Sequence, residues 1–425
     1  MSLYDEFEWR GLLYGSTEGA RELLAREKVT CYIGFDATAS SLHIGSLLPI
    51  LALVRAQRFG HTPIAVVGEG TGLIGDPSGK SAERTLLTVE QGRVNAEGVR
   101  AQLATFLEPH EGPCGARLVN NAEWLGRMTA MEFLRDVGKY FTVNYMLSKE
   151  SVKRRIESEE GISYTEFSYL VLQAYDFLVL HDRFNCTLQI GGSDQWGNIV
   201  AGCDLIRKLR GANVHGVVLP LVTTAEGTKF GKTEAGTVWL DREKTSPFRF
   251  YQFWLNVDDL DVVPYLKYFT FLSREAIAEL EAATARAPER REAQRALAGE
   301  VTRLVHGGDL CARAERASAL LFGDGISEAN VEDVLMVFED APSSGFDAAR
   351  FADPGVALVE VLAQVQLASS KGEATRLVKS GGVYVNNRRV SDERARLSRR
   401  DAVGGRVIVL RRGAKHYHLV RLVER

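Results

Sequence analysis

The first 240 residues alternate short apolar runs with longer stretches of helical periodicity. Four runs predict buried strands: VTCYIGF (29–35), TPIAVVG (62–68), CTLQIGG (186–192) and GVVLPLVTT (216–224). A fifth run, ARLVNN (116–121), is a weaker candidate. Helical patterns lie at about 46–59, 98–108, 163–180 and 195–210. This alternation predicts an α/β fold with a parallel, doubly wound sheet. Residues 122–160 are rich in helix formers, and we interpret them as an insertion.

The pattern changes after about residue 246. Helical periodicity dominates to about residue 322, as in REAIAELEAA and AQRALAGEVTRLV. The segment PSSGFDAARFADPG (342–355) has the proline, glycine and serine content of a linker. Beyond it, 356–369 and ATRLVKSG predict helices, and GGVYVNNRRV predicts a hairpin turn. We therefore predict a first domain over 1–240, a helical domain over 241–325, a linker region over 326–355 and a small α+β domain over 356–425.

Charge separates the last domain from the rest of the chain. The net charge is −3, yet residues 366–425 hold 15 Lys and Arg against 5 Asp and Glu, which gives +10. The preceding residues hold 37 and 50, which gives −13. Such a split indicates an acidic body with a basic module that meets a polyanion such as a nucleic acid. Charge alone is equally compatible with a solvated basic surface.

Composition excludes several other classes. The N-terminus MSLYDEFEWRG has no apolar signal segment, and no apolar run approaches the roughly 20 residues of a membrane helix. The five cysteines are scattered without a CxxC pair, which argues against a disulfide framework or a zinc site. We expect a reduced, cytoplasmic protein that holds no metal of its own.

Polar, glycine-bearing loops follow the four clearest strands. They are GFDATASSLHIGS (34–46), GEGTGLIGDPSGKSAER (68–84), GGSDQWGN (191–198) and TTAEGTKFGKT (223–233). Ligands of open α/β sheets bind beyond the carboxyl ends of the strands. Four such loops at equivalent sheet positions therefore predict one site.

Two of these loops carry groups suited to polyphosphate. The first enters a helix near His43, where free backbone N–H groups favour phosphate and where His43 and Thr38 add donors. The fourth places Lys229 and Lys232 around Phe230 and Gly231, which suits developing leaving-group charge. Taken singly, a structural histidine and a solvated basic loop remain the alternatives.

The stretch GDPSGKS (75–81) superficially resembles a phosphate-binding P-loop. A P-loop needs four residues between its glycines, whereas only three separate Gly75 and Gly79. Asp76 would also place a carboxylate where phosphate should lie. We reject that interpretation, because Asp76 suits an ammonium group better, and Lys80 and Arg84 remain available for phosphate.

The pattern over 163–180 predicts a buried helix with one polar stripe. Its apolar residues surround the helix almost completely, whereas Tyr169, Gln173 and Asp176 fall at i, i+4 and i+7. Buried polar groups need partners. The stripe therefore faces either an internal protein network or a polar ligand pocket.

Taken in order, these motifs resemble class I aminoacyl-tRNA synthetases, and specifically bacterial tyrosyl-tRNA synthetases. SLHIGS is similar to the first class motif and KFGKT to the second. GFDATASSLHIGS, GLIGDPSGK, TEFSYLVLQAYDF, LQIGGSDQWGN and AEGTKFGKT resemble the tyrosine family, and the resemblance covers nearly the whole chain. It implies a Rossmann-like catalytic domain that makes tyrosyl-adenylate and pyrophosphate from tyrosine and ATP. Tyrosine then passes to the 3′ end of tRNA(Tyr).

The resemblance also implies roles for individual residues. Tyrosine would be bound by Tyr32, Asp76, Tyr169, Gln173, Asp176 and Gln195, with Tyr32 and Asp176 at the phenolic hydroxyl. ATP would be bound by Gly34, Asp36, His43, Ser46, Gly192, Asp194 and Lys232. Catalysis would rest on Thr38, His43, Lys80, Arg84, Lys229, Lys232 and Thr233. Mg²⁺ would accompany the ATP phosphates, and a homodimer is implied.

The C-terminal segment resembles a small RNA-binding fold shared with a ribosomal protein. Its most similar stretch holds the implied tRNA-binding residues Lys371, Arg376, Lys379, Arg388 and Arg389. The chain departs from the commonest family pattern at Ser46, where His or Asn is usual, at Ala37, where proline is frequent, and at Pro49. A tryptophanyl-type enzyme and a non-catalytic RNA-binding paralogue are the alternatives. The first has no need of Tyr32 and Asp176 at a hydroxyl, and intact His43 argues against the second.

Overall fold

The computed structural model describes most of the chain. The described residues are 1–78, 86–108, 114–158, 161–225, 227, 230–233, 236–322, 326, 330–339, 341–413 and 416–424. They form two compact units. One comprises Met1–Ser246 with Leu255–Leu297, and the other comprises Pro247–Trp254 with Ala298–Arg425. The helices predicted as one domain over 241–325 are thus divided between the two units.

A six-stranded sheet forms the centre of the first unit. Its strands are β1 (Gly15–Ser16), β2 (Thr30–Asp36), β3 (Thr62–Gly68), β4 (Arg117–Asn120), β5 (Cys186–Gly192) and β6 (His215–Leu219). Their order is β1-β6-β5-β2-β3-β4, with β1 antiparallel to β6 and every other pair parallel. The predicted parallel, doubly wound sheet is confirmed, with one short antiparallel edge strand that the apolar pattern did not indicate.

Helices cover both faces of this sheet and fill the connections. Those up to residue 246 are α1 (Leu3–Arg10), α2 (Ala20–Arg26), α3 (Leu47–Arg58), α4 (Glu69–Gly72), α5 (Val89–Phe106), α6 (Ala122–Leu125), α7 (Ala130–Glu132), α8 (Val143–Leu147), α9 (Glu150–Ile156), α10 (Tyr164–Phe184) and α11 (Trp196–Arg210). Helices α6 to α9 occupy the predicted insertion. A two-stranded ribbon of β7 (Lys232–Thr233) and β8 (Gly236–Thr237) follows β6.

Two predicted boundaries differ from the structure for clear reasons. The predicted strand 216–224 ends at Leu219, because Pro220 has no N–H group to continue the ladder. The helix predicted over 98–108 begins at Val89, where the side chain of Thr88 accepts a hydrogen bond from the Gln91 N–H group. The first half of this helix is polar and contains glycine, so its periodicity is weak.

The chain reverses its direction of travel across the sheet beside β2. From β2 it proceeds to β3 and β4, and it then crosses back so that β5 pairs with β2 on the other side. The crevice at such a switch point, beyond the carboxyl ends of the strands, is where open α/β sheets bind ligands. The loops after β2 and β5 both open there.

The remaining helices carry the chain to residue 337. They are α12 (Pro247–Leu255), α13 (Asp259–Phe269), α14 (Arg274–Arg286), α15 (Glu292–His306), α16 (Gly308–Phe322) and α17 (Val331–Val337). No strand occurs in the described part of 247–322, as the sequence predicts.

The second unit ends in a five-stranded sheet. The remaining strands and helices are β9 (Ser343–Asp347), β10 (Val356–Ala357), α18 (Leu358–Gln364), α19 (Lys371–Lys379), β11 (Val383–Val385), β12 (Arg388–Val390), β13 (Arg396–Leu397), β14 (Val407–Arg412) and β15 (His416–Val423). The sheet order is β12-β11-β14-β15-β9, and β10 pairs with β13. Residues Asn386 and Asn387 both have positive φ and close the predicted β11–β12 hairpin.

This sheet is covered on both faces. Ile408 and Leu410 belong to one apolar cluster with residues of α18 and α19. Val407 and Val409 belong to a second cluster with Val334 of α17. The period of two along β14 thus places successive residues in different cores.

The predicted linker region needs correction. Residues 343–347 form β9, which pairs in parallel with β15, and a 3₁₀ helix follows over Ala348–Phe351. Phe351 is fully buried in the same core as α18. Proline, glycine and serine here mark an edge strand and its turns, and α17 likewise packs on the sheet.

No helix in the described ranges combines the length and apolar character that crossing a membrane requires.

Candidate active site

The central strand β2 presents one open position at the switch point. Tyr32, Gly34 and Asp36 alternate along this strand and therefore share a face. A Cβ atom built on Gly34 would meet no atom within 4 Å, whereas Tyr32 beside it is only 2% exposed. Glycine in the middle of a central strand thus leaves an open space between a phenol and a carboxylate.

At one end of this space lie Tyr32 and Asp176. The Tyr32 ring contacts Phe177 of α10, with the ring centroids 5.2 Å apart. Its hydroxyl is buried and has no hydrogen-bond partner among the described residues. Burial, and then the nearby charge of Asp176, raises the pKa of Tyr32. A buried donor without a partner is costly, and a ligand atom would satisfy it.

Asp176 is held by two donors, one from the residue that follows β4 and one from α6. Asn121 Nδ2 donates to Oδ2 at 3.0 Å, and Trp124 Nε1 donates to Oδ1 at 2.7 Å. Burial raises the pKa of Asp176 to about 7, while these two hydrogen bonds oppose that rise by favouring the charged form. The carboxyl group is therefore poised between its two protonation states near neutral pH.

A chain of hydrogen bonds connects Asp176 to the far end of β2. Asn121 Nδ2 also donates to Thr71 Oγ1 at 2.9 Å, and Thr71 Oγ1 donates to Asp36 Oδ1 at 2.7 Å. The Tyr169 hydroxyl donates to Asp36 Oδ2 at 2.9 Å. The polar stripe of α10 therefore faces an internal network, and that network borders the open space above Gly34.

A second polar group surrounds Asp76. Its Oδ1 accepts from the Ser78 N–H group at 2.9 Å, and its Oδ2 accepts from Gln195 Nε2 at 2.6 Å. Asn198 Nδ2 donates to Gln195 Oε1 and to Gln173 Oε1 at 3.1 and 3.0 Å. The amide side chains of Gln195 and Asn198, at the start of α11, thus orient Asp76 after β3 and Gln173 in the polar stripe of α10.

The first loop places His43 at the start of a short 3₁₀ turn. His43 Nδ1 accepts from the Gly45 N–H group at 3.0 Å, so the neutral ring carries its proton on Nε2. His43 and Thr38 are both exposed. A side chain of α5 fixes the loop, since Asn95 Nδ2 donates to the Ala37 carbonyl at 3.1 Å. Exposed donors on a fixed loop suit an anionic ligand.

The departures from the commonest family pattern fit this backbone. The Ala37 N–H group donates to the Gly68 carbonyl at 3.1 Å, a bond that proline could not make. Ser46 precedes α3, and Pro49 lies in its first turn, where N–H groups have no partner within the helix. The loop and the helix therefore form without the commoner residues.

The fourth loop, over 223–233, contacts the first loop through its described residues and those that follow it. The Ile44 N–H group donates to the Val238 carbonyl at 2.9 Å, and the Val238 N–H group donates to the Gly231 carbonyl at 3.1 Å. Gly231 has φ +81°, and a Cβ atom there would lie 2.4 Å from Ile44 Cγ2. Only glycine permits this approach of the two loops.

The structure places the predicted site residues unequally. Those brought to the switch point are Tyr32, Gly34, Asp36, Asp76, Tyr169, Gln173, Asp176 and Gln195. Gly192 ends β5, and Asp194 lies in the 3₁₀ turn that follows. Lys80, Arg84 and Lys229 lie outside the described residues, and Lys232 and Thr233 are described only as backbone of β7. The geometry is thus clearest where tyrosine is expected.

Three residues of this site were missed from the sequence. Thr71, Asn121 and Trp124 join the network around Asp36 and Asp176. Asn121 and Trp124 follow β4, which was the weakest of the predicted strands. The carboxyl end of that strand is a fifth loop at the same sheet edge, and this position could have indicated them.

The predicted RNA-binding residues lie on α19 and on the β11–β12 hairpin of the second unit. Arg388 and Arg389 are both exposed. Arg389 also donates from Nε to the Gly381 carbonyl at 2.8 Å and from Nη2 to the Ser380 carbonyl at 3.1 Å. Lys379 is paired with Glu393 at 2.8 Å. The remaining members are Lys371 and Arg376 of α19.

Comparison with known proteins gives concordant results for both parts of the chain. A family model described as tRNA synthetases class I (W and Y) matches residues 24–323. Another, described as Tyrosine--tRNA ligase SYY-like C-terminal domain, matches residues 333–420. A tyrosine--tRNA ligase of Roseiflexus castenholzii is 57% identical over 422 residues, covering 99% of this chain and 100% of the relative. That of Geobacillus kaustophilus is 52% identical over 426 residues, with the same coverage.

Among solved structures, a C-terminally truncated mitochondrial tyrosyl-tRNA synthetase of Coccidioides posadasii is similar, with 33% identity and a TM-score of 0.65. The match covers 74% of this chain and 91% of that one. A tryptophanyl-tRNA synthetase of Encephalitozoon cuniculi shares the fold alone, at 14% identity and a TM-score of 0.53, over 73% of this chain and 87% of its own.

Proposed function

This chain belongs to the class I tyrosyl-tRNA synthetases, and we propose that the space above Gly34 is where it binds the tyrosine that it activates. The family activity is ligation of tyrosine to tRNA with ATP. Tyrosine and ATP give tyrosyl-adenylate and pyrophosphate, and tyrosine then passes to the 3′ end of tRNA(Tyr). The roles of individual residues are our proposal.

One observation carries the assignment of the phenol end. The Tyr32 hydroxyl is buried without a partner among the described residues, beside a buried carboxyl group already held by Asn121 and Trp124. A substrate hydroxyl there can accept from Tyr32 and donate to Asp176, which satisfies both groups. Phenylalanine would leave them unpaired, and tyrosyl-tRNA synthetases are themselves the standard example of rejection by this means.

The ammonium and carboxylate ends of the substrate follow from the remaining groups. Asp76 offers a carboxylate for the α-ammonium group, and Tyr169 and Gln173 present acceptor oxygens on the adjacent face of α10. Gln195 lies near the substrate carboxylate. The ammonium group of tyrosine then lies among hydrogen-bond acceptors, and its nucleophilic carboxylate is directed toward the first loop.

ATP is bound where the first loop meets β5. Exposed His43 and Thr38 donate to its phosphates, while Asp36, Gly192 and Asp194 position the adenosine, and Gly34 and Ser46 allow its close approach. The tyrosine carboxylate attacks the α-phosphorus in line, and the bond to the bridging oxygen breaks as pyrophosphate leaves. No protein acid or base is required, because positioning and charge stabilisation lower the barrier.

The leaving pyrophosphate meets the cations of the fourth loop and of the loop after β3. We assign this role to Lys229, Lys232 and Thr233, with support from Lys80 and Arg84. Mg²⁺ accompanies ATP in our proposal, since this ion is usually held through substrate phosphates and water. The described ranges hold no group of three or more His, Cys, Asp or Glu side chains able to hold a metal ion.

The basic C-terminal part binds tRNA. Lys371, Arg376, Lys379 and Arg388 lie on α19 and β12, within the segment that carries +10. We assign Arg389 chiefly to holding the end of α19, because its guanidinium donates to two backbone carbonyls there. Phosphate contacts would supply most of this affinity.

We also propose that the enzyme is a cytoplasmic homodimer. The insertion carries large apolar side chains in solvent, with Met131 76%, Val143 61% and Leu134 50% exposed. Exposed apolar side chains that lie together on a surface are typical of a contact with another protein. A second copy of this chain is the occupant that the family resemblance implies.

Paired tyrosine-to-phenylalanine variants test the orientation of the substrate. Tyr32→Phe removes only the donor at the phenol end, so ATP–pyrophosphate exchange with tyrosine should fall about tenfold while exchange with phenylalanine is preserved. Tyr169→Phe alters the ammonium end and should lower exchange with both amino acids alike. Equal losses for tyrosine and phenylalanine in Tyr32→Phe would contradict the proposal.

A further inference from the structure

Helix α13 holds both ends of the fourth loop (223–233) through contacts that the catalytic assignment does not use. On the incoming side, the Tyr265 hydroxyl donates to the Thr223 carbonyl at 3.1 Å. Two residues later, the Ala225 N–H group donates to Asp261 Oδ2 at 3.1 Å. The backbone that enters the loop is therefore bonded to successive turns of one helix.

The outgoing side of the loop is held by aromatic packing on the same helix. Phe230 is 5% exposed, and its ring stacks on Phe269 with centroids 5.3 Å apart and planes inclined by 13°. The Tyr265 ring meets Phe230 edge-on at 5.1 Å. Tyr265 thus contacts both sides, with its hydroxyl on the incoming backbone and its ring on the outgoing side chain.

Helix α13 is in turn fixed to the helix that follows the first loop. Arg55 of α3 is 1% exposed, and its Nη2 donates to the carbonyls of Tyr268 and Thr270 at 2.9 and 2.8 Å. A buried guanidinium at a helix C-terminus satisfies carbonyl groups that have no partner within the helix, and its positive charge complements the helix dipole. The helix that begins after His43 and the helix that carries Tyr265 therefore form one frame.

We propose that Tyr265 is a positioning residue for the adenylation step. It fixes the position of the fourth loop relative to the first loop, where Gly231 already lies against Ile44. The inference rests on the proposed role of the fourth loop in binding the leaving pyrophosphate. Burial and the charge of Asp261 raise the pKa of Tyr265, so its hydroxyl remains a donor throughout the physiological range.

The test separates the hydroxyl from the ring. Tyr265→Phe keeps the packing on Phe230 and removes the bond to Thr223. Stopped-flow measurement at saturating ATP and tyrosine should show adenylate formation slowed about three- to tenfold, with the dissociation constant of tyrosine unchanged. The control is Tyr268→Phe on the same helix, because the hydroxyl of Tyr268 lies toward Gly11 rather than toward the loop. It should leave both quantities unchanged.

A double-mutant cycle distinguishes this inference from the role of the loop itself. If Lys232→Ala slows adenylate formation and Tyr265→Phe slows it little further in that background, Tyr265 acts through the loop. If the two losses multiply, Tyr265 does not act through Lys232 and the inference is overturned. A normal rate in Lys232→Ala would instead remove the proposed role of the loop. An unchanged rate in Tyr265→Phe, or a matching loss of tyrosine affinity, would overturn the positioning role alone.

Discussion

At the scale of single residues, the site combines groups that were predictable with groups that were not. Tyr32 and Asp176 were indicated by family motifs, and the structure brings them to the same end of the cleft. Asn121 and Trp124, which hold Asp176, could not be identified from periodicity, because hydrogen-bond partners of a buried carboxylate depend on which strands become neighbours. The polar stripe on α10 was predicted, yet only the structure shows that it contacts an internal hydrogen-bond network and also borders the open space above Gly34.

The position of Asp176 predicts how tyrosine binding depends on pH. Burial raises its pKa to about 7, so below that pH the free site mainly holds a proton. A substrate hydroxyl that donates to Asp176 favours the ionised form, and binding must then release this proton. Tyrosine affinity should therefore fall as the pH decreases below about 7, approaching about tenfold per pH unit.

Titration calorimetry in buffers from about pH 5.5 to 8.5 checks this expectation, together with the number of protons released. Asp176→Asn should bind tyrosine weakly and with little dependence on pH over the same range. A constant dissociation constant for the unaltered enzyme would show that the substrate hydroxyl does not require ionised Asp176.

At the scale of elements, apolar runs predicted the central strands closely and the peripheral ones poorly. The predicted strands 62–68 and 186–192 agree with β3 and β5 at both ends, because both are buried and bounded by turn residues. The two-residue β1 has no apolar run of its own. Residues 343–347 were predicted to be part of a linker, because an edge strand that contains serine and glycine forms only when β15 offers a partner.

The two arginines of β12 should behave differently when replaced. Arg388 is exposed, so Arg388→Ala should weaken tRNA binding and reduce the slope of log K against log salt by about 1, without lowering the melting temperature. Arg389 donates to the Ser380 and Gly381 carbonyls at the end of α19. Arg389→Ala should therefore lower the melting temperature. If the two variants had identical melting temperatures and tRNA affinities, this division would be wrong.

At the scale of the whole molecule, our proposal assigns activation and tRNA binding to different parts of the chain. The described tyrosine-site residues lie in the first unit, whereas the basic α19 and β12 lie in the second. Composition predicted this separation through the split of −13 and +10. The point at which the part built around the five-stranded sheet begins was not predictable, because α17 has the periodicity of the helices before it but packs Val334 and Phe338 in the core of that sheet.

That boundary leads to a prediction about truncation. A chain that ends after α16 should still form tyrosyl-adenylate and should charge tRNA poorly, as it lacks the basic sheet. A chain that ends at Ser343 keeps α17 but loses Val409 and Leu419, so Val334 and Phe338 become exposed. It should aggregate more readily than the shorter chain. Full tRNA charging by the shorter chain would contradict a tRNA-binding role for the C-terminal part.

The central claim is that the cleft above Gly34 selects tyrosine for activation by ATP. ATP–pyrophosphate exchange, measured with each of the twenty amino acids and without tRNA, tests it most directly. The account predicts exchange with tyrosine far above that with any other amino acid, and a preference over phenylalanine that is about tenfold smaller in Tyr32→Phe. Exchange led by tryptophan, or equal exchange with tyrosine and phenylalanine by the unaltered enzyme, would contradict the account.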